Sequence, residues 1–208
     1  MKHGQSARVC IIGAGLSGIT AAKHLLQVEH TNFVIYEKKN QVGGIWVYSS
    51  DTSQPSIYES AHLITSKLMS QYPDYPMPDD YPDYPSHKLL LKYFQGYAEH
   101  FGVVPYIEFE TCVASAIKQS DETWEITLDD GRIETFDYLI VANGHHWNPR
   151  LPDYDGDFTG EFIHSNVYRT PIPYRGKRVL VVGGGNSACD IAVDIGRHAE
   201  FTAISWRR

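Results

Sequence analysis

The sequence predicts an α/β fold: a Rossmann-like unit with a parallel sheet, helices and a β-meander, followed by a second Rossmann unit that is incomplete. Three observations carry this. Two glycine-rich turns, Gly13-Ala14-Gly15-Leu16-Ser17-Gly18 and Gly183-Gly184-Gly185-Asn186-Ser187-Ala188, each follow an apolar run and open a helical pattern. A charged residue stands 24 positions after the first glycine of each turn, Glu37 in one case and Arg207 in the other. Between the two units, short alternating runs flank the turn Asp129-Asp130-Gly131.

The first strand is Val9-Cys10-Ile11-Ile12. A helix over 16–28 follows, and a second strand, Phe33-Val34-Ile35-Tyr36, ends at Glu37. Gly13 permits the tight turn, Gly15 lets the backbone approach a pyrophosphate, and Gly18 lets helix pack on strand. The pyrophosphate belongs on the helix N-terminus, where N–H groups and the dipole favour anions. Glu37 suits a ribose 2′-OH and repels a 2′-phosphate.

Gly43-Gly44 permits a second close backbone approach, and Trp46 offers a flat apolar surface. Residues 47–85 read as a long irregular region containing a duplication, Tyr72-Pro73-Asp74-Tyr75-Pro76 and Tyr81-Pro82-Asp83-Tyr84-Pro85. Proline at that density excludes regular helix and central strand. The tyrosines favour an ordered covering loop. Ser86 is placed to cap a helix over 88–100 with Leu89, Leu90, Leu91, Phe94 and Tyr97 on its apolar face. The meander spans 112–136. A buried strand, Tyr138-Leu139-Ile140-Val141, ends in Ala142-Asn143-Gly144, and strand ends of this kind face the dinucleotide.

Residues 149–175 are rich in proline, glycine and aspartate and read as a linker. The second unit has a strand over 177–182, a helix over 187–197 and a strand over 201–206, with Ala188 in place of the third glycine. Arg207 and Arg208 are placed to receive a 2′-phosphate, which favours NADP over NAD. An acidic and a basic selector on one chain imply two different dinucleotides, hence an FAD/NAD(P)-binding fold. The expected domains are an FAD-binding part at 1–150, a linker at 151–175, and the start of an NADP-binding domain at 176–208.

The chain has 208 residues, with 42% hydrophobic and 21% charged residues, ordinary for a globular protein. The formal net charge of -7, with no basic run beyond Arg207-Arg208, disfavours nucleic acid and anionic membranes. No apolar stretch approaches a transmembrane span, and the first strand starts too early to leave room for a signal peptide. The expected location is cytoplasmic. Cys10, Cys112 and Cys189 are widely spaced and lack C-x-x-C pairing, so they read as inert core thiols. The ten histidines, His145-His146 included, show no metal-ligand spacing, and no metal is expected.

Phe158, Gly160, His164 and Tyr168 match F-x-G-x-x-x-H-x-x-x-Y/F. This resembles the identifying motif of the flavin-containing monooxygenases. Related Baeyer–Villiger monooxygenases usually carry Trp at the position of Tyr168. Gly43-Gly44-Ile45-Trp46 is similar to the family's G-G-x-W. The Tyr-Pro-Asp-Tyr-Pro loop resembles its loop near the flavin, and Ala142-Asn143-Gly144-His145-His146 resembles its small-x-Gly strand end. The resemblance covers essentially the whole chain. It implies a reaction in which NADPH reduces FAD, O2 adds at flavin C4a, and the hydroperoxide oxygenates a small-molecule soft nucleophile such as an amine or sulfide.

On that resemblance the flavin contacts are Gly13, Gly15, Leu16, Ser17, Gly18, Glu37, Lys38, Gly44, Ile45, Trp46, His62, Thr65, Val113, Ala142, Asn143 and Gly144. The NADPH contacts are Gly183, Gly185, Asn186, Ser187, Arg207 and Arg208. Many family members have an asparagine where this chain has Ile64. An isoleucine cannot hydrogen-bond a peroxide, which leaves Thr65 as a substitute. Family members are also considerably longer. The chain therefore reads as an N-terminal part with weak FAD binding and no assured turnover. Residues 179–182 and 191–195 are expected to be partly exposed, which favours aggregation or pairing of two copies as a homodimer. Three other readings are a Baeyer–Villiger-type monooxygenase, a thioredoxin-reductase-like disulfide reductase, which needs the absent C-x-x-C, and an inactive or truncated FAD-binding remnant.

Overall fold

In chain order the elements are β1 Val9–Ile12, α1 Leu16–Gln27, β2 Phe33–Tyr36, α2 Lys67–Ser70, α3 His87–His100, β3 Ile107–Glu108, β4 Val113–Lys118, β5 Trp124–Leu128, β6 Ile133–Phe136, β7 Tyr138–Val141, β8 Arg178–Val182, α4 Asn186–Gly196 and β9 Phe201–Ser205. They come from a computed structural model that describes residues 4–207. Strands β1, β2 and β7 fall where the sequence puts them. Helix α3 starts one residue earlier than expected, at His87, and α4 starts and ends one residue early. The two-residue β3 and the one-turn α2 carry no sequence signal of their own.

Contacts gather the described residues into two units. One holds the chain up to 47 with 91–144, the other 48–90 with 145 onward. This cuts the chain differently from the expected 1–150, 151–175 and 176–208, because the proline-rich segment groups with the second glycine turn.

In the first unit the four-stranded sheet has the order β3-β2-β1-β7, and every pair is parallel. Val9 pairs with both Phe33 and Tyr138, so β1 is flanked on both sides. Its run of apolar residues fits, since a parallel strand is buried on both faces. Cys10 and Tyr36 point to one face, where Ile126, Leu128 and Phe136 of the antiparallel β4-β5-β6 sheet close over them. Ile11 and Ile35, fully buried, point to the other, and Ile11 lies beside Gly18 of α1. Burying each such side chain contributes about 1.5–3 kcal/mol. Burial, with the Glu134 charge second, pushes the Cys10 thiol up to about 12, so it stays protonated and inert. Cys189, by contrast, is exposed and is not a core thiol.

The hairpin joining β5 and β6 uses Gly131 at φ +89°. Asp130 beside it accepts from the Arg132 N–H at 2.9 Å and from its guanidinium at 2.7 Å. The turn chemistry expected from Asp-Gly is present.

In the second unit β8 and β9 pair in parallel from Arg178↔Phe201 to Val182↔Ser205. Val179 and Val181 turn toward Tyr168, Ile191 and Ile195. Leu180 and Val182 turn the other way and are 63% and 53% exposed. Val179 and Val181 are half-buried, so the expected partial exposure of this strand holds, alternating in degree as strand geometry demands. Ile191 and Ile195 are buried, against expectation, because the covered face of the strands packs on them.

The proline-rich segment is ordered by captured carbonyls. Lys67 Nζ donates to Asp79 O at 2.9 Å and Tyr81 O at 2.6 Å. Buried Arg169 uses all five guanidinium N–H groups: on Ser49 O, Asp51 O and Gln54 O, and on Asn166 O and Tyr168 O, at 2.7–3.0 Å. Burial holds its pKa below the ordinary arginine range. A lysine there has three donors on one nitrogen and cannot span these carbonyls. Arg169→Lys is expected to leave at least two of them unmet and to cost about 2–4 kcal/mol, read as a lower urea midpoint. An unchanged midpoint would mean that the segment is held by something else.

Candidate functional site

The end of β1 is a crossing of backbones. Gly13 has φ +99°, and a Cβ on it would stand 2.6 Å from Ala142 O. A Cβ on Gly18 would stand 1.9 Å from Gly13 O. Gly13 N–H donates to Tyr36 O at 2.8 Å, and Ala142 N–H to Ile12 O at 2.9 Å. These two glycines are therefore explained by the protein's own packing.

Gly15 is not. Its backbone, φ -74° and ψ -174°, suits any residue. A Cβ there would meet the Gly44 backbone at ordinary contact distances, Cα at 3.6 Å and N at 4.0 Å. What its missing side chain preserves is open space in front of α1. That helix has no side-chain cap and no acidic residue in its first turn. The leading N–H groups of a helix lack intrahelical partners, and with the dipole they make an anion site. The cradle fits a pyrophosphate.

Glu37 is only 6% exposed. One carboxylate oxygen accepts the Ala14 N–H at 2.7 Å and the other the Lys39 N–H at 2.8 Å. It thus fastens the end of β2 to the glycine turn. Each oxygen keeps a second lone pair for a ribose hydroxyl. Gly43 N–H donates to Ala14 O at 3.1 Å, Lys39 Nζ donates to Gly44 O at 3.1 Å, and the Trp46 ring packs 6.1 Å from Phe94. The turn at 13–18, Glu37, Gly44 and Ala142 are in this way brought together. Ile45 and Trp46 follow Gly44 in the same 3-10 turn, and Asn143 and Gly144 follow Ala142. Lys38 is exposed beside Glu37. Val113 opens β4 and packs on the Cys10–Tyr36 core, a structural place for its side chain.

The second turn repeats the logic with slacker packing. Gly183 has φ +137°, and its N–H donates to Ser205 O at 2.7 Å. A Cβ on it would lie 3.4 Å from the Cβ of Ala188, which is why alanine is tolerated there. Around Gly185, φ -83°, nothing would lie within 4 Å of a Cβ. Asn186 and Ser187 open α4, exposed, with no acid in the first turn. Arg207 is exposed just past β9. Arg208 lies outside the described residues.

The residues expected near the flavin ring, His62, Ile64 and Thr65, belong to the second unit. Ile64 is 53% exposed, the Thr65 hydroxyl pairs with that of Ser70, and His62 Nδ1 is 3.4 Å from Ser60 O.

Sequence reasoning missed Asp190 and Asp194. Both lie on α4, four residues apart, flanking the buried Ile191. The Tyr168 and Ser60 hydroxyls both donate to Asp194 Oδ2 at 2.7 Å, and Tyr58 OH to Asp190 Oδ2 at 2.6 Å. Burial first, and then these hydrogen bonds, push the Tyr168 and Tyr58 phenols well above their ordinary range. The available signal was an aspartate on an apolar helix face, which needs a partner. Tyr168 of the linker motif is thus a fastening residue, 1% exposed.

A family model described as flavin-binding monooxygenase-like matches residues 6–208. Flavin-containing monooxygenase 5 of Rattus norvegicus is 38% identical over 97% of this chain. That alignment covers 40% of the relative, so the chain spans about two fifths of the length of the curated relatives it matches. The structure of S-allyl-L-cysteine S-oxygenase from Allium sativum superposes with TM-score 0.89 at 29% identity, covering 97% of this chain and 51% of that one. OTEMO in complex with FAD and NADP gives TM-score 0.74 at 26% identity, over 99% of this chain and 39% of that one.

The two kinds of glycine separate by substitution. Gly18→Ala forces the backbone crossing apart and is expected to cost about 3 kcal/mol or more. Gly15→Ala gains backbone restriction and loses a little as a helix cap, so its stability should stay within about 1 kcal/mol of the parent. Chemical denaturation of the two variants measures this. Equal losses would show that Gly15 also serves the protein's own packing.

Proposed function

The chain belongs to the flavin-binding monooxygenase-like family, and from that premise we propose that it forms the FAD-binding and NADPH-docking part of an enzyme that oxygenates a soft nucleophile, an amine or a sulfide. The observation that carries the reading is the pair of glycines, Gly15 and Gly185, whose missing side chains nothing in the protein requires. Each opens an uncapped helix N-terminus suited to a pyrophosphate.

In this reading the first unit holds FAD, with its phosphates on the turn at 13–18 and its adenosine ribose on Glu37. The bound flavin supplies the redox and oxygen chemistry. The residues of the chain bind, orient and exclude water. Trp46 and the strand end at 142–144 would contact the flavin within this unit. The family resemblance adds His62, Ile64 and Thr65 as flavin contacts; an isoleucine offers no hydrogen bond, and the Thr65 hydroxyl is paired with that of Ser70. NADPH binds the turn at 183–188, with its 2′-phosphate on Arg207 and Arg208. Tyrosine rather than tryptophan at 168 supports attack on nitrogen or sulfur over ketone oxygenation. The relative from Allium sativum, an S-oxygenase by its name, supports a sulfur nucleophile.

Among the described residues no helix is long and apolar enough to cross a membrane. The net charge of -7 supports a cytoplasmic location away from anionic lipid.

Mixing the FAD-loaded chain with NADPH under air tests the function. The visible flavin band is expected to bleach and then recover as oxygen is consumed. A stable band that ignores NADPH would overturn the reading in favour of a non-catalytic flavin binder. Replacing Arg207 tests the selector within the same assay. Arg207→Ala should lower the NADPH/NADH ratio of bleaching rates by roughly tenfold or more, the loss of a charge-assisted phosphate contact. A ratio that does not move would remove Arg207 from the site.

A further inference from the structure

Helix α4 begins at the second glycine turn and carries two aspartates along one side, Asp194 buried and Asp190 half-buried. Asp194, 7% exposed, receives the Ser60 and Tyr168 hydroxyls on a single oxygen, each at 2.7 Å. Asp190 receives Tyr58 at 2.6 Å. Between these two anchors, Glu59 N–H donates to Arg169 O at 2.9 Å. Residues 58, 59 and 60 are therefore each fastened to α4 or to the linker beside it. The chain continues from Ser60 directly into His62, Ile64 and Thr65.

Ile191 and Ile195 already supply an apolar contact on this helix. A buried carboxylate adds little net stability over an apolar residue of similar shape, since desolvation offsets the gain. It does fix position, because a hydroxyl–carboxylate hydrogen bond is short and directional. Two hydroxyls from different segments on one oxygen lock both segments to one point of the helix.

We infer that Asp194 is a positioning residue for the reaction proposed above, a reading on which this inference rests: it pins the segment at 58–65 to the helix whose first turn takes the NADPH pyrophosphate. Occupying that turn restrains α4, and through Asp194 it restrains His62, Ile64 and Thr65. The coupling is reciprocal, so loosening the segment weakens the dinucleotide.

Amide hydrogen exchange of the 208-residue chain, with and without NADP+, reads both ends of the coupling. In the parent, NADP+ should slow exchange at 183–188 and also at 60–66. In Ser60→Ala, NADP+ should still slow 183–188 but should slow 60–66 markedly less, since only Tyr58 on Asp190 then ties the segment to α4, and its affinity should fall about fivefold or more. Ser60→Thr, which keeps a hydroxyl, should restore both effects. A merely structural role would speed exchange equally with and without NADP+ and leave the ratio untouched, which overturns the inference. So would a parent in which NADP+ protects 183–188 but not 60–66. If NADP+ protects neither segment, the nucleotide assignment itself fails and this inference falls with it, an outcome told apart by the silent glycine turn.

Discussion

A side chain on residue 18 would have to place its Cβ 1.9 Å from the carbonyl oxygen of Gly13, and one on residue 13 would lie 2.6 Å from that of Ala142. This backbone contact fixes the first unit. It brings the start of α1 down onto the end of β1 and sets the end of β7 alongside. It also aims the first N–H groups of α1 across the end of the sheet. Glu37 then ties the β2 end to the same turn through Ala14. Only after these contacts are in place does the space before Gly15 have a shape.

The second unit solves the same problem with less contact. Ala188 stands where the first unit needs Gly18, and its Cβ takes up the room that a tighter crossing would remove. Helix α4 is held instead along its length, by Ile191, Ile195 and the hydroxyls on Asp190 and Asp194. The proline-rich segment contributes two of those hydroxyls. Proline and turn-rich chain makes few hydrogen bonds with itself, so its carbonyls need outside donors. Arg169 and Lys67 supply them, and a segment with almost no regular structure becomes an ordered part of the unit.

Strands β1, β2 and β7, both glycine turns and the hairpin at Asp130-Gly131 were legible in the sequence because each rests on local chemistry. Periodicity, a positive φ or a short turn can be read within a few residues. The parts that were not legible depend on partners far along the chain. Asp194 meets Ser60 across 134 positions, and Arg169 meets Ser49 across 120. Glu37 was read as a ribose ligand, but its hydrogen bonds to two backbone N–H groups appear only once β2 and the turn are side by side. Tyr168 was marked by a motif, while its role as a buried fastener required the position of α4. The burial of Ile191 and Ile195 was not legible because it depends on Val179, Val181 and Tyr168 packing on that face of α4.

The central claim is that the bare backbone at Gly15 is shaped by a dinucleotide and not by the protein. A crystal structure of the chain grown with FAD tests this most directly. The account predicts pyrophosphate oxygens within hydrogen-bond distance of the amides that open α1, with the adenosine ribose on Glu37. A structure with FAD bound elsewhere and the turn at 13–18 closed over water would contradict it.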